Sequence, residues 1–421
     1  MRRLLYLLAL ILLPTSFAQA GGFSIYETSV KANAMLGAFS AYADHVSTVY
    51  FNPAGLARLE GTHLSGGLTM IAPRSSFRGP LPYSNQKYEM ADQNFPIPNL
   101  YASYQLREGL TAGIGVYVPF GLGTKWEEDW AGRAEAVETE VQTIVVNPSV
   151  GYTLPDLGIG KIHVGLGVKA VVSGDVKLSR YVEDFVPGDM FELDGSLDDP
   201  AFGFNAGLLY EPIRELRFGF TYRSGMATDY SGSANFNDLP TFAFPDGVQG
   251  STSLDLPQNF VAAVHVKPTD KLSLEVDYVW WGWSSYDELL IEFDEPVPAL
   301  VSEEFPEGRG LASKRGFEDT YQIRGGAEYR DFPIEGLHLM AGITYDKSPL
   351  PEKYVDPTLP DSDRLLFSGG FSYELTNTLT VDASYIFIRA KERKVTKSVN
   401  GLHGVYNTYA HLPGLGLTMN L

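Results

Sequence analysis

Between Pro119 and Arg133 the chain reads PFGLGTKWEEDWAGR. Phe120, Leu122, Trp126 and Trp130 would give this stretch a greasy surface, and Lys125 and Arg133 would give it two cations able to meet a carboxylate. Such a surface suits an amphiphile. Each CH2 of an acyl chain removed from water gains about 0.8 kcal/mol, and a charged pair adds selectivity more than affinity. Residue by residue, the same stretch also reads as an interfacial aromatic belt beside a solvated loop. Other chemistry is thin. None of the 7 His residues sits beside a Ser and an acid in a recognisable nucleophile–base pattern, although such groups are brought together in space rather than in sequence. The spacing Gly-x-x-x-x-Gly-Lys-[Ser/Thr] does not occur, so transport, if that is the task, runs downhill. The acidic run at 183–199 lacks calcium-loop spacing and reads as a solvated loop, so no metal and no cofactor are expected. The run RAKERKVTK (389–397) would suit phosphates or be ordinary loop charge.

The elements that must position these residues are strands. In KLSLEVDYVWW, Leu272, Leu274, Val276, Tyr278 and Trp280 oppose Ser273, Glu275 and Asp277, and in KIHVGLGVKAVV, Ile162, Val164, Leu166, Val168 and Ala170 oppose His163, Gly165, Gly167 and Lys169. Period-two patterning marks half-exposed strands. Fourteen such segments are placed near 62–73, 97–107, 110–119, 138–153, 161–180, 200–211, 215–230, 252–267, 271–286, 319–330, 336–347, 363–375, 378–390 and 405–421. Their connections alternate between short turns, such as EPIRE and KPTDK, and long acidic or Pro-rich segments. A soluble sandwich has no reason to sort its loops by parity, whereas an outer-membrane barrel does, with short periplasmic turns and long external loops. The apolar faces would then meet lipid. Arg217, Arg223, Glu275, Asp277, Arg324, Glu328, His338, Asp346 and Asp382 would face the lumen. Tyr278, Trp280, Trp281 and Trp283 are expected in an aromatic girdle. The formal charge of −19 argues against a nucleic-acid partner, and the absence of Cys removes disulfides and thiolate metal sites.

The amino end reads differently. Arg2 and Arg3, the apolar run Leu4–Leu13 and Ala18-Gln19-Ala20 form a signal peptide over 1–20. Residues 21–61 are small and apolar and carry Asn52-Pro53-Ala54, an N-cap followed by a first-turn proline, with Gly61 suited to the far end of a short helix. A ring of about fourteen strands has room for such a segment, which would fold inside as a plug or, failing burial, trail as a periplasmic tail. The strands then occupy 62–421.

The stretch GGFSIYETSVKANAMLGAFSAYADHVSTVYFNPAGLARLEG resembles the N-terminal hatch of the FadL family of outer-membrane long-chain fatty acid and hydrocarbon channels, with Asn52, Pro53 and Ala54 on its Asn-Pro-Ala motif. PFGLGTKWEEDWAGR followed by VETEVQTIVVNPSVGYTL resembles that family's third external loop and fourth strand. The resemblance implies an all-β transmembrane barrel of the Gram-negative outer membrane, acting as a monomer. Hydrophobic ligand would be caught by the external loops and released sideways through a wall gap at a kinked third strand. Gly113, Gly115 and Pro119 permit that kink. The implied cargo is a long-chain fatty acid, with an aromatic hydrocarbon as the alternative. Outer-membrane lipid, including lipopolysaccharide, is the expected surrounding partner, and a lipid-modifying enzyme barrel is the rival class. The family pattern ends on an aromatic residue where this chain has Leu421, yet the alternation Leu415, Leu417, Met419, Leu421 is intact.

Overall fold

The computed structural model describes residues 21–80, 86–181, 190–237 and 240–421, so the expected signal peptide and part of the acidic run at 183–199 lie outside the described residues. Fourteen antiparallel strands form the wall. In chain order they are β1 (Thr62–Arg78), β2 (Phe95–Arg107), β3 (Leu110–Tyr117), β4 (Glu138–Thr153), β5 (Lys161–Tyr181), β6 (Ala201–Ile213) and β7 (Leu216–Arg223). The wall continues with β8 (Asn259–Val266), β9 (Leu272–Trp281), β10 (Thr320–Tyr329), β11 (Leu337–Asp346), β12 (Arg364–Glu374), β13 (Leu379–Ala390) and β14 (Gly404–Asn420). The last strand pairs with the first, Leu64 opposite Met419, and Leu421 N–H donates to Thr62 O at 2.8 Å, so the sheet closes without an edge. No helix among the described residues is long and apolar enough to cross a membrane; the strands cross it.

The alternation sorts the faces. Leu274, Val276 and Tyr278 of β9 point outward and are exposed, while Ser273, Glu275 and Asp277 are buried inside. Tyr278 faces outward, as a girdle residue must, whereas Trp281 and Trp283 are buried inward and pack near Phe23 and Phe120, so the girdle expectation fails for those two. The phase explains Trp281, which shares the parity of Asp277 and not that of Tyr278. Some segments expected as external loops instead carry strands: Met190–Leu197 and Glu288–Phe293 lie within them, and Met226–Asn237 and Val248–Leu256 run from the expected strands 215–230 and 252–267 into the connection between these two. These strands extend the sheet beyond the wall around a small core of Phe191, Leu193, Phe236, Val248, Ile291 and Phe293.

From Gly21 to Ala57 nearly every residue is buried, and the segment bonds to strands all around the ring. Asn33 Nδ2 donates to Thr69 of β1 at 2.9 Å, and Tyr101 of β2 donates to Thr28 O at 2.9 Å. Asn205 of β6 donates to Val49 O at 3.1 Å, Thr221 of β7 to Phe51 O at 3.0 Å and Ser368 of β12 to Ala34 O at 2.8 Å. A segment bonded to β1, β2, β6, β7 and β12 lies within the ring. The wall makes room for it with glycine. A side chain at Gly165 would strike the backbone of Pro53 and Ala54, and one at Gly207 would strike Asn52 Oδ1.

Candidate functional site

The segment inside the ring is held by inward polar groups that would be costly to bury alone. Glu275 accepts from Ala41 N–H at 2.8 Å, Asp277 accepts from Phe39 N–H at 3.3 Å, and Glu328 accepts from Tyr42 OH at 2.9 Å. Near the short-turn end, Asp44 meets Arg58 at 2.8 Å, Arg217 at 3.0 Å, Lys267 at 3.6 Å and Arg330 at 3.9 Å. Burial alone would raise the Asp44 carboxyl; Arg217, Arg58, Lys267 and Arg330 outweigh it and hold it well below the usual carboxylate range. Asn52 caps the 3-10 helix Pro53–Arg58, accepting from Ala54 N–H at 3.2 Å. Its amide also donates to Ser40 O at 2.8 Å and to Leu208 O of β6 at 3.2 Å, which ties the Asn-Pro-Ala turn to both the segment and the wall.

Among the described residues the ladder of the wall is interrupted between β2 and β3. β3 ends at Tyr117, and pairing resumes at Gly121–Lys125, there only with β4. Across from it, residues 95–99 of β2 pair only with β1. Pro96 and Pro98 on one side and Pro119 on the other have no N–H to offer across the break. The ladder closes again above it, where Met90 bridges Trp126 and Ala91 N–H donates to Lys125 O at 2.7 Å. The amino-terminal segment covers the break from inside: Ile25 N–H donates to Pro119 O at 2.8 Å, and Gly121 N–H donates to Phe23 O at 3.0 Å. Ile25, Ile97 and Val118 pack there with Phe95, Ile71 and Ile144. Of the three residues expected to permit the kink, only Pro119 lies in the break. Gly113 and Gly115 sit in regular ladder, where side chains would come within 2.8 Å of Leu56 and 2.7 Å of Tyr101; their smallness serves packing.

Three cavities adjoin this break. One lies among the external segments, lined by Leu122, Leu178, Leu254, Phe317, Leu350 and Leu359. A second lies against the break, lined by Ile25, Phe95, Ile97, Val118, Ile388 and Leu412. Phe23 and Leu122 border both. A third, the smallest, is lined by Tyr50, Tyr117, Phe120, Trp281, Lys169 and Arg223. Arg315, on the first cavity, is paired with Asp356 at 2.7 Å. The two cations of the third are different. Lys169 Nζ donates to Ser224 O at 2.8 Å, and Arg223 donates to Phe51 O at 3.0 Å and Asn259 Oδ1 at 2.9 Å; neither has a carboxylate partner among the described residues. Sequence reasoning placed Arg223 in the lumen and Lys169 on the polar face of its strand, but gave neither a ligand role.

The loop residues expected to capture ligand are divided. Leu122 borders two cavities, and Phe120 packs edge-on against Phe23 and Trp281. Trp126 and Trp130 do not form an exposed greasy surface. Each is 1% exposed; they stack at 4.4 Å, pack near Phe77 and Tyr406, and donate to Pro357 O and Ala136 O. Two large indoles bury more area against each other and the neighbouring loop than they would on a rim. Lys125 is exposed and paired with Glu138 at 3.1 Å, and Arg133 lies over the Tyr181 ring at 5.4 Å; neither lines the three cavities.

A closed ring with an apolar outer band, charges turned inward and apolar cavities at its external end defines an outer-membrane barrel that admits hydrophobic compounds. Residues 11–420 match the family model described as outer membrane protein transport protein (OMPP1/FadL/TodX), and the chain belongs to that family. It is 26% identical over 419 residues to a long-chain fatty acid transport protein of Escherichia coli (strain CFT073), covering 90% of this chain and 89% of that one. Among solved structures it resembles a Pseudomonas aeruginosa FadL homologue, with a TM-score of 0.78 and 19% identity over 95% of this chain and 100% of that one. It also resembles the Ralstonia pickettii toluene transporter TbuX, with a TM-score of 0.68 and 17% identity over 93% of this chain and 98% of that one. The protein is an outer-membrane transporter of hydrophobic compounds.

Proposed function

We propose that the chain passes long-chain fatty acids across the outer membrane: caught among the external segments, moved past Phe23 and Leu122, and released sideways at the break between β2 and β3. The amino-terminal segment acts as the plug. It blocks the axis, and the stretch Phe23–Ile25 must shift for the break to open. Binding drives passage, with no energy source, because ligand favours the arrangement in which the exit is uncovered. The observation that carries the choice of an acid is the pair Lys169 and Arg223, two buried cations without a carboxylate partner among the described residues. Buried charges are stable when paired, so a carboxylate brought up to these two cations at the third cavity would supply the missing partner. The two larger cavities are apolar enough for an acyl chain or an aromatic ring, and the likeness to a toluene transporter favours a hydrocarbon as the second reading.

The test compares binding of oleate, the matching long-chain alcohol and toluene to wild type and Lys169→Met. The fatty-acid reading expects wild type to prefer oleate over the alcohol and the variant to lose that preference while still holding the alcohol. Toluene bound with oleate ignored would establish the hydrocarbon reading instead.

A further inference from the structure

The outward face of β13, β14 and β1 carries a feature that transport does not use. Leu64, Met419 and Leu379 lie side by side in register near the short-turn end, and all three side chains face away from the lumen. Ten residues further along each strand stand Arg74, Tyr409 and Arg389, again in register with Tyr409 between the two arginines. Ten residues at about 3.3 Å each, tilted by about 40°, rise about 25 Å, which is the height of the apolar band of an outer-membrane barrel. The two arginines therefore sit at the external edge of that band, with backbones about 10 Å apart across two strand spacings. Just below them are Phe387, Tyr385 and His411, whose rings pack together with Tyr409 and whose Tyr385 OH meets His411 Nδ1 at 2.5 Å. Just above them are Lys391, Arg78 and Lys394, all exposed.

The basic run read from the sequence thus divides in space. Arg389, Lys391 and Lys394 turn outward, while Arg393 reaches in to donate to Leu350 O at 2.7 Å. The acids on this face are weak competitors: Asp92, beside Arg74 at 3.1 Å, is 82% exposed, and Glu392 meets Arg78 at 3.3 Å with both side chains half in water. On a chain of net charge −19 this concentration of cations is out of keeping with the whole.

We propose that Arg74 and Arg389, assisted by Lys391, bind the phosphate groups of a phosphorylated glycolipid of the external leaflet, lipopolysaccharide, whose acyl chains lie on the apolar band below. A guanidinium at the level of the headgroups offers forked donors to a phosphate, and the aromatic ring of Tyr409 between the two arginines fits the interface at which such headgroups begin. The inference does not rest on the identity of the transported ligand.

The experiment incubates detergent-purified protein with diphosphorylated lipid A or with its dephosphorylated form, and counts retained lipid by native mass spectrometry. Wild type is expected to retain the phosphorylated form about tenfold more, and Arg74→Gln/Arg389→Gln to lose that margin, as befits exposed charge-assisted contacts worth about 1.4 kcal/mol together. Folding of the variant is checked by its resistance to detergent unfolding until heated, and oleate binding is expected to stay at the wild-type level. Equal retention of both lipids by wild type, or an unchanged margin in the folded variant, overturns the proposal. Full displacement by inorganic phosphate overturns it too, because the site would then read free phosphate rather than lipid.

Discussion

Replacing Asn52 with Ala should loosen the segment inside the ring without loosening the ring. The side chain is fully buried and makes three contacts: it donates to Ser40 O and Leu208 O and accepts from Ala54 N–H. Alanine leaves two carbonyls and one amide buried without those partners. An unpaired buried group costs about 1–3 kcal/mol, so three at the low end amount to about 3 kcal/mol. At about 1.4 kcal/mol per factor of ten, the local opening equilibrium rises by about a hundredfold. The ladder between β5, β6 and β7 does not include this side chain, so wall stability should be unchanged. Hydrogen exchange resolved by mass spectrometry checks this. Amides of 48–60 should exchange about a hundredfold faster while those of β6 keep their protection. Uptake of labelled oleate should fall in the same variant. Unchanged exchange at 48–60, or uptake equal to wild type in a folded barrel, refutes the reasoning.

The Asp44 cluster gives the pH response a sign. A carboxyl held below its unfolded value of about 3.9 contributes its full stability above that pH and loses it as the pH falls through the folded value. Glu211, which shares Arg58 and Arg217 with Asp44 and has His163 beside it at 3.2 Å, belongs to the same network. Protection factors for residues 41–45 should therefore fall in two steps as the pH drops: a first loss below about pH 6.5, because burial holds the His45 imidazole well below its usual range while the unfolded chain takes up the proton, and a steeper one below about pH 4 as the Asp44 cluster is lost. Protection that stays flat down to about pH 3 would contradict the cluster's role. Trp126→Ala removes a buried indole and its stacking partner's support, a loss of about 3–5 kcal/mol in which the wall has no share. Limited proteolysis should then cut within 120–137 or 348–362 while the barrel stays heat-resistant, and loops as resistant as wild type would show that the stacked pair is not what holds them.

The ring was legible in the sequence because every strand repeats one rule with a period of two, and the parity of turn lengths separated the two ends. The same rule, applied strictly, would have moved Trp281 inward, since it shares the parity of Asp277; the clustering of three tryptophans obscured the phase. Nothing near Gly165 or Gly207 in the sequence explains them, because their reason lies in another segment: the backbone of Pro53 and Ala54 presses against the first and the Asn52 side chain against the second. The loop 120–137 was legible as amphiphilic but not as folded. Whether an indole is displayed or buried depends on Pro357 and Phe77, more than 40 residues away in each direction, and no local pattern encodes that. Lys169 and Arg223 were visible as inward charges, but that no described carboxylate stands beside them appears only when the strands are assembled.

The route through the wall is the claim on which the account turns, and Gly123 is the place to test it. A side chain there would run into the Phe95 ring at the rim of the break. Gly123→Trp should fill the opening between β2 and the Gly121–Lys125 strand. Uptake of labelled oleate by cells carrying this variant, measured beside wild type with barrel assembly and the exchange of residues 48–60 confirmed unchanged, is the deciding measurement. The account predicts that uptake falls to the level of cells lacking the protein, while oleate still binds to the purified variant. Wild-type uptake through a barrel whose break is filled would contradict it and send the ligand down the axis instead.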